Sequence, residues 1–212
     1  MTSFAFPGLT NVFLQIIQAP TANPTGVGQV WERWHENVAP GAIGWTQSIA
    51  GVTDDGQFIA VVEFVSEEAA RNNQQRPEQD LWWRDLSAQL QGDATFHECS
   101  SVSQYGEALD DKASFVQVIQ GRAAQIERLL GEVPQREHHH VYETDLDLMG
   151  GLIGIHDGGE FTEIVYYPSE DAARNPDTGG YRERGVSLIE FLADHVSDIR
   201  YLNLRDPWIH RH

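Results

Sequence analysis

The sequence predicts an α+β fold made of two tandem βαββαβ units, and an internal repeat is the main reason. The strand-like segment VFLQIIQ at 12–18 reappears as SFVQVIQ at 114–120. The segment DDGQFIAVVEFVSEEAARNN at 54–73 returns, about a hundred residues later, as DGGEFTEIVYYPSEDAARNP at 157–176. Two copies of one unit therefore account for the chain.

Turn residues and hydrophobic periodicity assign the elements of the first copy. The turn Thr-Asp-Asp-Gly between two β-prone runs is a strong hairpin signal, because Asp-Gly tolerates a positive φ. Ser66 followed by Glu67 and Glu68 predicts a helix N-cap with acidic residues in the first turn. The predicted elements are a strand at 12–18, a helix at 30–37, strands at 42–52 and 57–65, a helix from Ser66, a helix at 78–90 and a strand at 94–102.

The second copy has the same predicted order. Its elements are a strand at 114–120, a helix at 121–131, strands at 141–155 and 160–167, a helical segment at 169–195 with a break near 176–180, and a strand at 198–205. A βαββαβ unit is ferredoxin-like, with an antiparallel sheet that carries both helices on one face. Since the other face stays bare, two units can bury their bare faces against each other in a barrel-like core. We place the units at 1–106 and 107–212.

The composition limits the classes of function. The chain carries 32 acidic and 14 basic residues, a net charge of −18, which repels nucleic-acid phosphates and anionic membrane surfaces. Cys99 is the only cysteine, so no internal disulfide can form. No apolar run approaches the roughly 18–20 residues of a membrane span, and the N-terminal segment lacks the positive charge of a signal peptide. We therefore expect a cytoplasmic protein with neither a nucleic-acid nor a membrane partner.

The repeat also supplies an internal control, since a residue needed only by the fold should have a like counterpart in the other copy. His97 lies against Leu202 in the closing strands. Trp31, Trp34 and His35 share one face of the first helix, where the second copy has aliphatic residues. Flat aromatic walls with one polar group suit a planar, largely apolar ligand. A packed aromatic core and a satisfied core histidine are the alternatives.

The second helix of the first copy adds two further candidates. Trp82 and Trp83 are about 100° apart on a helix, so one should pack in the core while the other is available to line a pocket. Arg76 precedes this helix and could hold an anionic ligand group, although an ion pair with Glu78 at the helix start is the simpler interpretation. We count Trp83 and Arg76 among the substrate-binding candidates.

The run His138-His139-His140 is the most conspicuous motif of the chain. Strand alternation would send the first and third of these to one face, so a metal site would need a further ligand such as His156 or His195. The sequence has no HExxH, CxxC or GxSxG motif and no GxGxxG in a dinucleotide-binding context. We predict no metal ligands and no cofactor.

The tandem units, the hairpin GW-x3-IAG-x-TDDG-x-F at 44–58 and the SEEAARN helix start resemble the dimeric α+β barrel superfamily, in particular antibiotic biosynthesis monooxygenase-like proteins. The resemblance covers nearly the whole chain, with both halves of the usual dimer fused. It implies an intramolecular dimeric α+β barrel with a ligand pocket between the sheet and helices of one unit. Such relatives include oxygenases that need no bound metal or flavin, haem-binding enzymes and lactone isomerases, so the fold alone does not decide the chemistry.

The resemblance implies a small-molecule enzyme similar to cofactor-independent monooxygenases, acting on an aromatic or polyketide-like substrate. The catalytic candidates are His97 and His35, and the substrate-binding candidates are Trp31, Trp34, Trp83 and Arg76. Two alternatives stay open: a non-catalytic small-molecule-binding or stress-related protein that uses the same pocket, and a haem-binding protein with His35 or His97 as axial ligand. We expect the fused barrel to be a monomer or a homodimer.

Overall fold

The computed structural model describes residues 9–106, 109, 112–123, 149–156, 158–174 and 196–212. The predicted α+β class is confirmed, with helices and two antiparallel sheets. By the proximity of their Cα atoms the residues form two compact units. The first unit comprises Asn11–Ser100 and Asp206–His212, and the second comprises Met1–Thr10 and Ser101–Arg205. The division of the chain into contiguous units at 1–106 and 107–212, which was inferred from the sequence repeat, stays a prediction.

The helices and strands follow the predicted order in the first copy. In chain order the elements are β1 (Leu9–Thr10), β2 (Phe13–Pro20), α1 (Pro24–Asn37), a short 3-10 turn (Ala39–Gly41), β3 (Trp45–Val52), β4 (Gln57–Phe64), α2 (Glu67–Gln74), α3 (Pro77–Ser87), β5 (Thr95–Cys99), β6 (Ser101–Gly106), β7 (Phe115–Ala123), β8 (Gly150–His156), β9 (Glu160–Tyr167), α4 (Glu170–Arg174), β10 (Val196–Arg205) and β11 (Trp208–Arg211). Within the described part of the chain, no helix has the length and apolar character that crossing a membrane requires.

The first unit holds a five-stranded antiparallel sheet in the order β11-β3-β4-β2-β5. The predicted hairpin signal is confirmed, because Thr53 to Gly56 closes the turn between β3 and β4 and Gly56 has a φ of 80°. One face of the sheet packs against α1, α2 and α3 in a single hydrophobic cluster. This face and the helices that cover it carry most of the residues singled out in the sequence.

Two features of the closing strands were not predicted. The strand expected at 94–102 is divided at Ser100 into β5, which belongs to the first sheet, and β6, which belongs to the second. Strand β11 pairs with β3, and the Trp208 ring lies so close to Gly28 of α1 that a Cβ on this glycine would be 2.9 Å from it. Local patterns do not predict such pairing, because the partner strands are far apart in the sequence.

The second unit holds a six-stranded antiparallel sheet in the order β1-β6-β8-β9-β7-β10. The strand predicted at 160–167 is confirmed as β9. The helix predicted at 121–131 is wrong over 121–123, because Gly121 and Arg122 continue the ladder of β7 with Phe161 and Glu160. Residues 124–131 lie outside the described residues, as do those predicted as strand at 141–148 and as helix at 175–195.

Both hairpins are followed by a helix with a serine cap, as the repeated SE(E/D)AAR motif predicts. The Ser66 hydroxyl accepts a hydrogen bond of 3.2 Å from the amide of Ala69. The Ser169 hydroxyl accepts one of 3.0 Å from the amide of Ala172. Each cap satisfies one of the amides that the first helical turn leaves without a partner.

Replacing Ser66 by alanine removes the acceptor of the Ala69 amide and should lower the free energy of unfolding by about 1 kcal/mol. The variant Ser66→Thr keeps the oxygen and should keep most of the stability. Urea unfolding of the full chain, followed by circular dichroism, measures both. A Ser66→Ala variant as stable as the wild type would contradict this role.

Gly44 and Gly92 have similar positive φ angles, 83° and 92°, but different surroundings. A Cβ on Gly44 would lie 2.8 Å from the Cβ of Ala69, whereas one on Gly92 meets nothing within 4 Å. Both alanine variants incur the left-handed backbone cost of about 1–2 kcal/mol, and only Gly44→Ala adds a steric clash of about 1–3 kcal/mol. Urea unfolding should therefore show the larger loss for Gly44→Ala. Equal losses would refute the close contact at Gly44.

Candidate functional site

Helix α1 presents two tryptophans to the sheet of the first unit. Trp31 and Trp34 are 1% and 4% exposed, and their stacked rings lie 6.5 Å apart between centroids. Trp45 of β3 lies 5.3 Å from Trp34, and Trp82 of α3 lies 5.8 Å from Trp31. The predicted common face of Trp31 and Trp34 exists, and both rings form part of the hydrophobic core.

His35 extends this aromatic row on α1. Its ring centroid lies 5.0 Å from that of Trp34 and 5.3 Å from that of Trp45. Its Nε2 atom lies 3.3 Å from the Ser48 hydroxyl, and its ring stacks on His210 of β11 at 3.4 Å and 13°. The stacking follows from the strand register, because His210 is paired with Ser48 and paired antiparallel residues point to the same face.

The surroundings of His35 keep its imidazole neutral. Burial, and secondarily the nearby His210, lower the pKa of His35 from 6.5 to about 3. At pH 7 one ring nitrogen of His35 therefore carries a proton and the other offers a lone pair. A charge on one of two stacked imidazoles disfavours a charge on the other.

Glu32 lies one turn before His35 on α1 and completes the arrangement. Its Oε1 atom lies 3.1 Å from Nε2 of His210. The Glu32 side chain is 51% exposed and that of His210 is 25% exposed. A carboxylate in this position accepts the imidazole N–H, so the other ring nitrogen becomes the proton acceptor. We call Glu32, His210, His35 and Ser48 the imidazole cluster.

The indole N–H groups near the cluster differ in their hydrogen bonds. Trp34 donates to Oε1 of Gln79 at 2.7 Å, and Trp82 donates to the carbonyl of Val30 at 2.9 Å. The buried N–H groups of Trp31 and Trp45 have no hydrogen-bond partner among the described residues. Two of the indole rings near His35 thus carry a buried N–H group that lacks a hydrogen-bond partner within the described part of the chain.

His97, the other catalytic candidate, lies on the opposite face of the same sheet. It is paired with Ile16 in the ladder between β5 and β2. Its neighbour Phe96 contacts Trp83 of α3 at 5.0 Å, so Phe96 faces the helices and alternation turns His97 away from them. The sheet therefore separates His97 from His35.

Trp83 and Arg76 lie away from the imidazole cluster as well. Trp83 packs at β5, the edge of the sheet opposite β11. Arg76 donates hydrogen bonds of 3.0 Å to the carbonyl of Val38 and to Oδ1 of Asn73, and its Nε atom lies 3.9 Å from Glu78. Arg76 thus ties the end of α1 to the connection between α2 and α3.

Of the residues selected from sequence, the structure brings together Trp31, Trp34 and His35. Sequence reasoning missed Glu32, Ser48 and His210. The alternation in the closing WIHRH segment could have indicated a strand, but nothing local indicates that it pairs with β3. The His138-His139-His140 run lies outside the described residues.

The fold matches solved structures over nearly the whole chain. A proposed monooxygenase from Fusobacterium nucleatum subsp. nucleatum aligns with a TM-score of 0.75 at 11% identity over 95% of both chains. A proposed monooxygenase from Lactobacillus acidophilus aligns with a TM-score of 0.71 at 15% identity, over 95% of this chain and 96% of that one. An anthrone oxidase-like protein aligns with a TM-score of 0.69 at 9% identity, over 95% and 93%. No protein-family model and no curated protein matches the chain.

At such identities the likeness concerns the fold, and it extends over both copies of the repeat. The resemblance inferred from the repeated motifs is therefore confirmed at this level. The chain has the tandem form of the dimeric α+β barrel fold.

Proposed function

We propose that the chain is an oxygenase of planar, electron-rich aromatic carbon acids and that His210 takes the substrate proton. The observation that carries the proposal is the imidazole cluster, in which a carboxylate–imidazole pair is backed by a second, neutral imidazole and by tryptophan rings. The names of the full-length structural neighbours, two proposed monooxygenases and an anthrone oxidase-like protein, support this class of reaction.

Each member of the cluster has a distinct role in the proposal. Glu32 accepts the Nε2–H of His210, so Nδ1 of His210 is the basic nitrogen. When Nδ1 takes a proton, the charge of Glu32 stabilises the imidazolium. His35 stays neutral beside it, so its ring stacks on the cation without charge repulsion. The Ser48 hydroxyl lies at hydrogen-bond distance from Nε2 of His35 and so orients the His35 ring.

The reaction needs dioxygen as its only co-reactant. Removal of a benzylic proton gives a carbanion whose charge spreads over the aromatic rings. The carbanion transfers an electron to dioxygen, and recombination forms the C–O bond of a peroxide anion, which the imidazolium protonates. Loss of water from the hydroperoxide leaves a carbonyl group. One oxygen atom and two substrate hydrogens leave as water, and the other oxygen atom stays in the product.

Three of the residues selected from sequence take no part in this proposal. His97 faces away from the helices, Trp83 lies at the other edge of the sheet, and Arg76 is engaged by backbone and side-chain oxygens. We also do not propose His35 as a haem ligand. Its Nε2 atom lies at hydrogen-bond distance from Ser48, and one face of its ring is covered by His210.

Replacing His210 by glutamine should lower kcat for the oxidation of anthrone by about 10²- to 10⁴-fold, the usual contribution of a general base. Oxygen uptake and the absorbance of the quinone product, corrected for the buffer reaction, measure the rate. His212→Gln is the matched control, because His212 lies two residues further along the chain, directly after the end of β11, and is exposed.

Two outcomes would contradict the proposal. A His210→Gln variant with the wild-type rate would remove His210 as the base. Quenching of tryptophan fluorescence by anthrone without oxygen uptake would instead indicate a protein that binds such ligands without catalysis.

His35 should make the fold sensitive to acid. The pKa of His35 is about 3 in the folded state and 6.5 as its ordinary value, so the unfolded state binds more protons between these two values. The contribution of His35 to the free energy of unfolding is therefore fully present above pH 6.5 and decreases as the pH falls toward 3. With allowance for solvent screening, we expect His35 to account for about 1–2 kcal/mol of the loss between pH 7 and pH 4.5.

Urea unfolding of the wild type and of His35→Gln at both pH values measures this contribution. The variant should lose less stability on acidification than the wild type does. The same pH dependence in both proteins would show that His35 is not held neutral by the fold.

A further inference from the structure

The hairpin between β8 and β9 of the second unit carries a histidine and a glutamate side by side. His156, the last residue of β8, is paired with Glu160, the first residue of β9. Paired residues of antiparallel strands point to the same face. Gly158 and Gly159 form the turn between them with φ angles of 71° and 114°. The two side chains are thus held together by a short hairpin with a defined register.

The Nε2 atom of His156, the ring nitrogen further from Glu160, lies beside a buried hydroxyl group. Nε2 of His156 lies 3.0 Å from Oγ1 of Thr162, which also accepts a hydrogen bond of 3.1 Å from Nε2 of Gln120. His156 is 7% exposed and Thr162 is completely buried. If the imidazole donates from Nε2, its Nδ1 atom carries the lone pair. Histidines that bind metal ions are oriented in this way, by a hydrogen bond from the ring nitrogen that does not bind the metal.

The other ring nitrogen of His156, Nδ1, faces the carboxylate of Glu160. The two oxygens of Glu160 have different neighbours, because Oε1 is paired with Arg122 and Oε2 lies 4.0 Å from Nδ1 of His156. Two ligand atoms that share a tetrahedral metal ion at 2.0–2.1 Å are about 3.4 Å apart. A small side-chain rotation therefore brings Nδ1 and Oε2 to the separation of two ligands of one ion.

The first copy lacks these ligands at the corresponding places of its hairpin. There Thr53 and Gln57 stand where the second copy has His156 and Glu160. Thr53 serves the turn, since its hydroxyl donates to Asp55 and accepts from the amide of Gln57. The hairpin of the first copy therefore forms with neither an imidazole nor a carboxylate at these two places.

We propose that His156 Nδ1 and Glu160 Oε2 bind one divalent transition-metal ion of the zinc or cobalt type, with Thr162 as the group that positions His156. Imidazole and carboxylate together suit such borderline ions. These two ligands occupy two of the four tetrahedral positions of such an ion. Arg122 holds the second carboxylate oxygen and so directs Oε2 toward the imidazole.

Titration of the full chain with Co²⁺ tests this site through the visible absorption of the bound ion. The measurement uses the background His138→Gln/His139→Gln/His140→Gln, because this run of histidines would otherwise bind the probe. We expect one equivalent to bind. His156→Gln and Glu160→Gln should each weaken binding by at least about tenfold, and Thr162→Val by about 10- to 100-fold. Glu163→Gln is the matched control, since Glu163 lies on the same strand but on its other face.

Further readouts keep the proposal testable if a variant folds poorly. Thermal unfolding by circular dichroism identifies such variants, and ¹⁵N chemical shifts of His156 in the otherwise unchanged protein report its tautomer. Protonation at Nε2 alone before Co²⁺ is added, and a shift of Nδ1 when it is added, would support the site. A proton on Nδ1 at neutral pH without Co²⁺ binding would overturn the site, because Nδ1 then donates a hydrogen bond to the carboxylate and offers no lone pair to a metal ion. Binding unaffected by all three substitutions would show an adventitious ion only.

The metal site and the proposed oxygenase activity can fail separately. The imidazole cluster belongs to the first unit and the hairpin site to the second. Oxidation of anthrone therefore tests the first, and Co²⁺ binding in the absence of any substrate tests the second.

Discussion

The first unit depends on the burial of the helix-facing side of its sheet. Its tryptophan rings supply much of the apolar area, about 150–250 Å² for each buried ring, or roughly 4–6 kcal/mol at 25 cal/mol per Å². The rings of Trp31 and Trp34 also set the rotation of α1 on the sheet. Because Glu32 and His35 lie on the same helix, the packing of the core decides where these polar groups stand. The imidazole cluster is thus built at the border of the core, and the core positions it.

The two copies of the repeat agree where the backbone needs a particular residue and differ where it does not. Ser66 and Ser169 both cap the helix after a hairpin, because the first helical turn requires an acceptor in either copy. The hairpin ends differ, with Thr53 serving the turn in one copy and His156 facing a carboxylate in the other. The polar groups without a counterpart are therefore the ones from which function can be inferred. Such polar groups lie near His210 in the first unit and near His156 in the second.

Part of the candidate site could be predicted from the sequence. The spacing of Trp31, Trp34 and His35 places them on one helical face, and the structure agrees, because helical periodicity is a local property. The sequence could not decide between His97 and His35 as the candidate base for a related reason. Strand alternation predicts that His97 and Phe96 point to opposite sides of the sheet. It does not predict which of the two residues points toward the helices. His210 was missed because its position depends on pairing with a strand far away in the sequence.

By itself, the sequence determined the repeat, the order of strands and helices in the first copy, the hairpin turn and the helix caps. These features depend on residues close to one another in the chain, whose φ preferences, hydrogen-bonding groups and periodicity are visible locally. Only the tertiary structure decided that β11 joins β3 and that Glu32, His35 and His210 meet. Such contacts depend on which strand completes a sheet edge, and the free energy that selects it comes from ladder hydrogen bonds and buried area shared by distant segments.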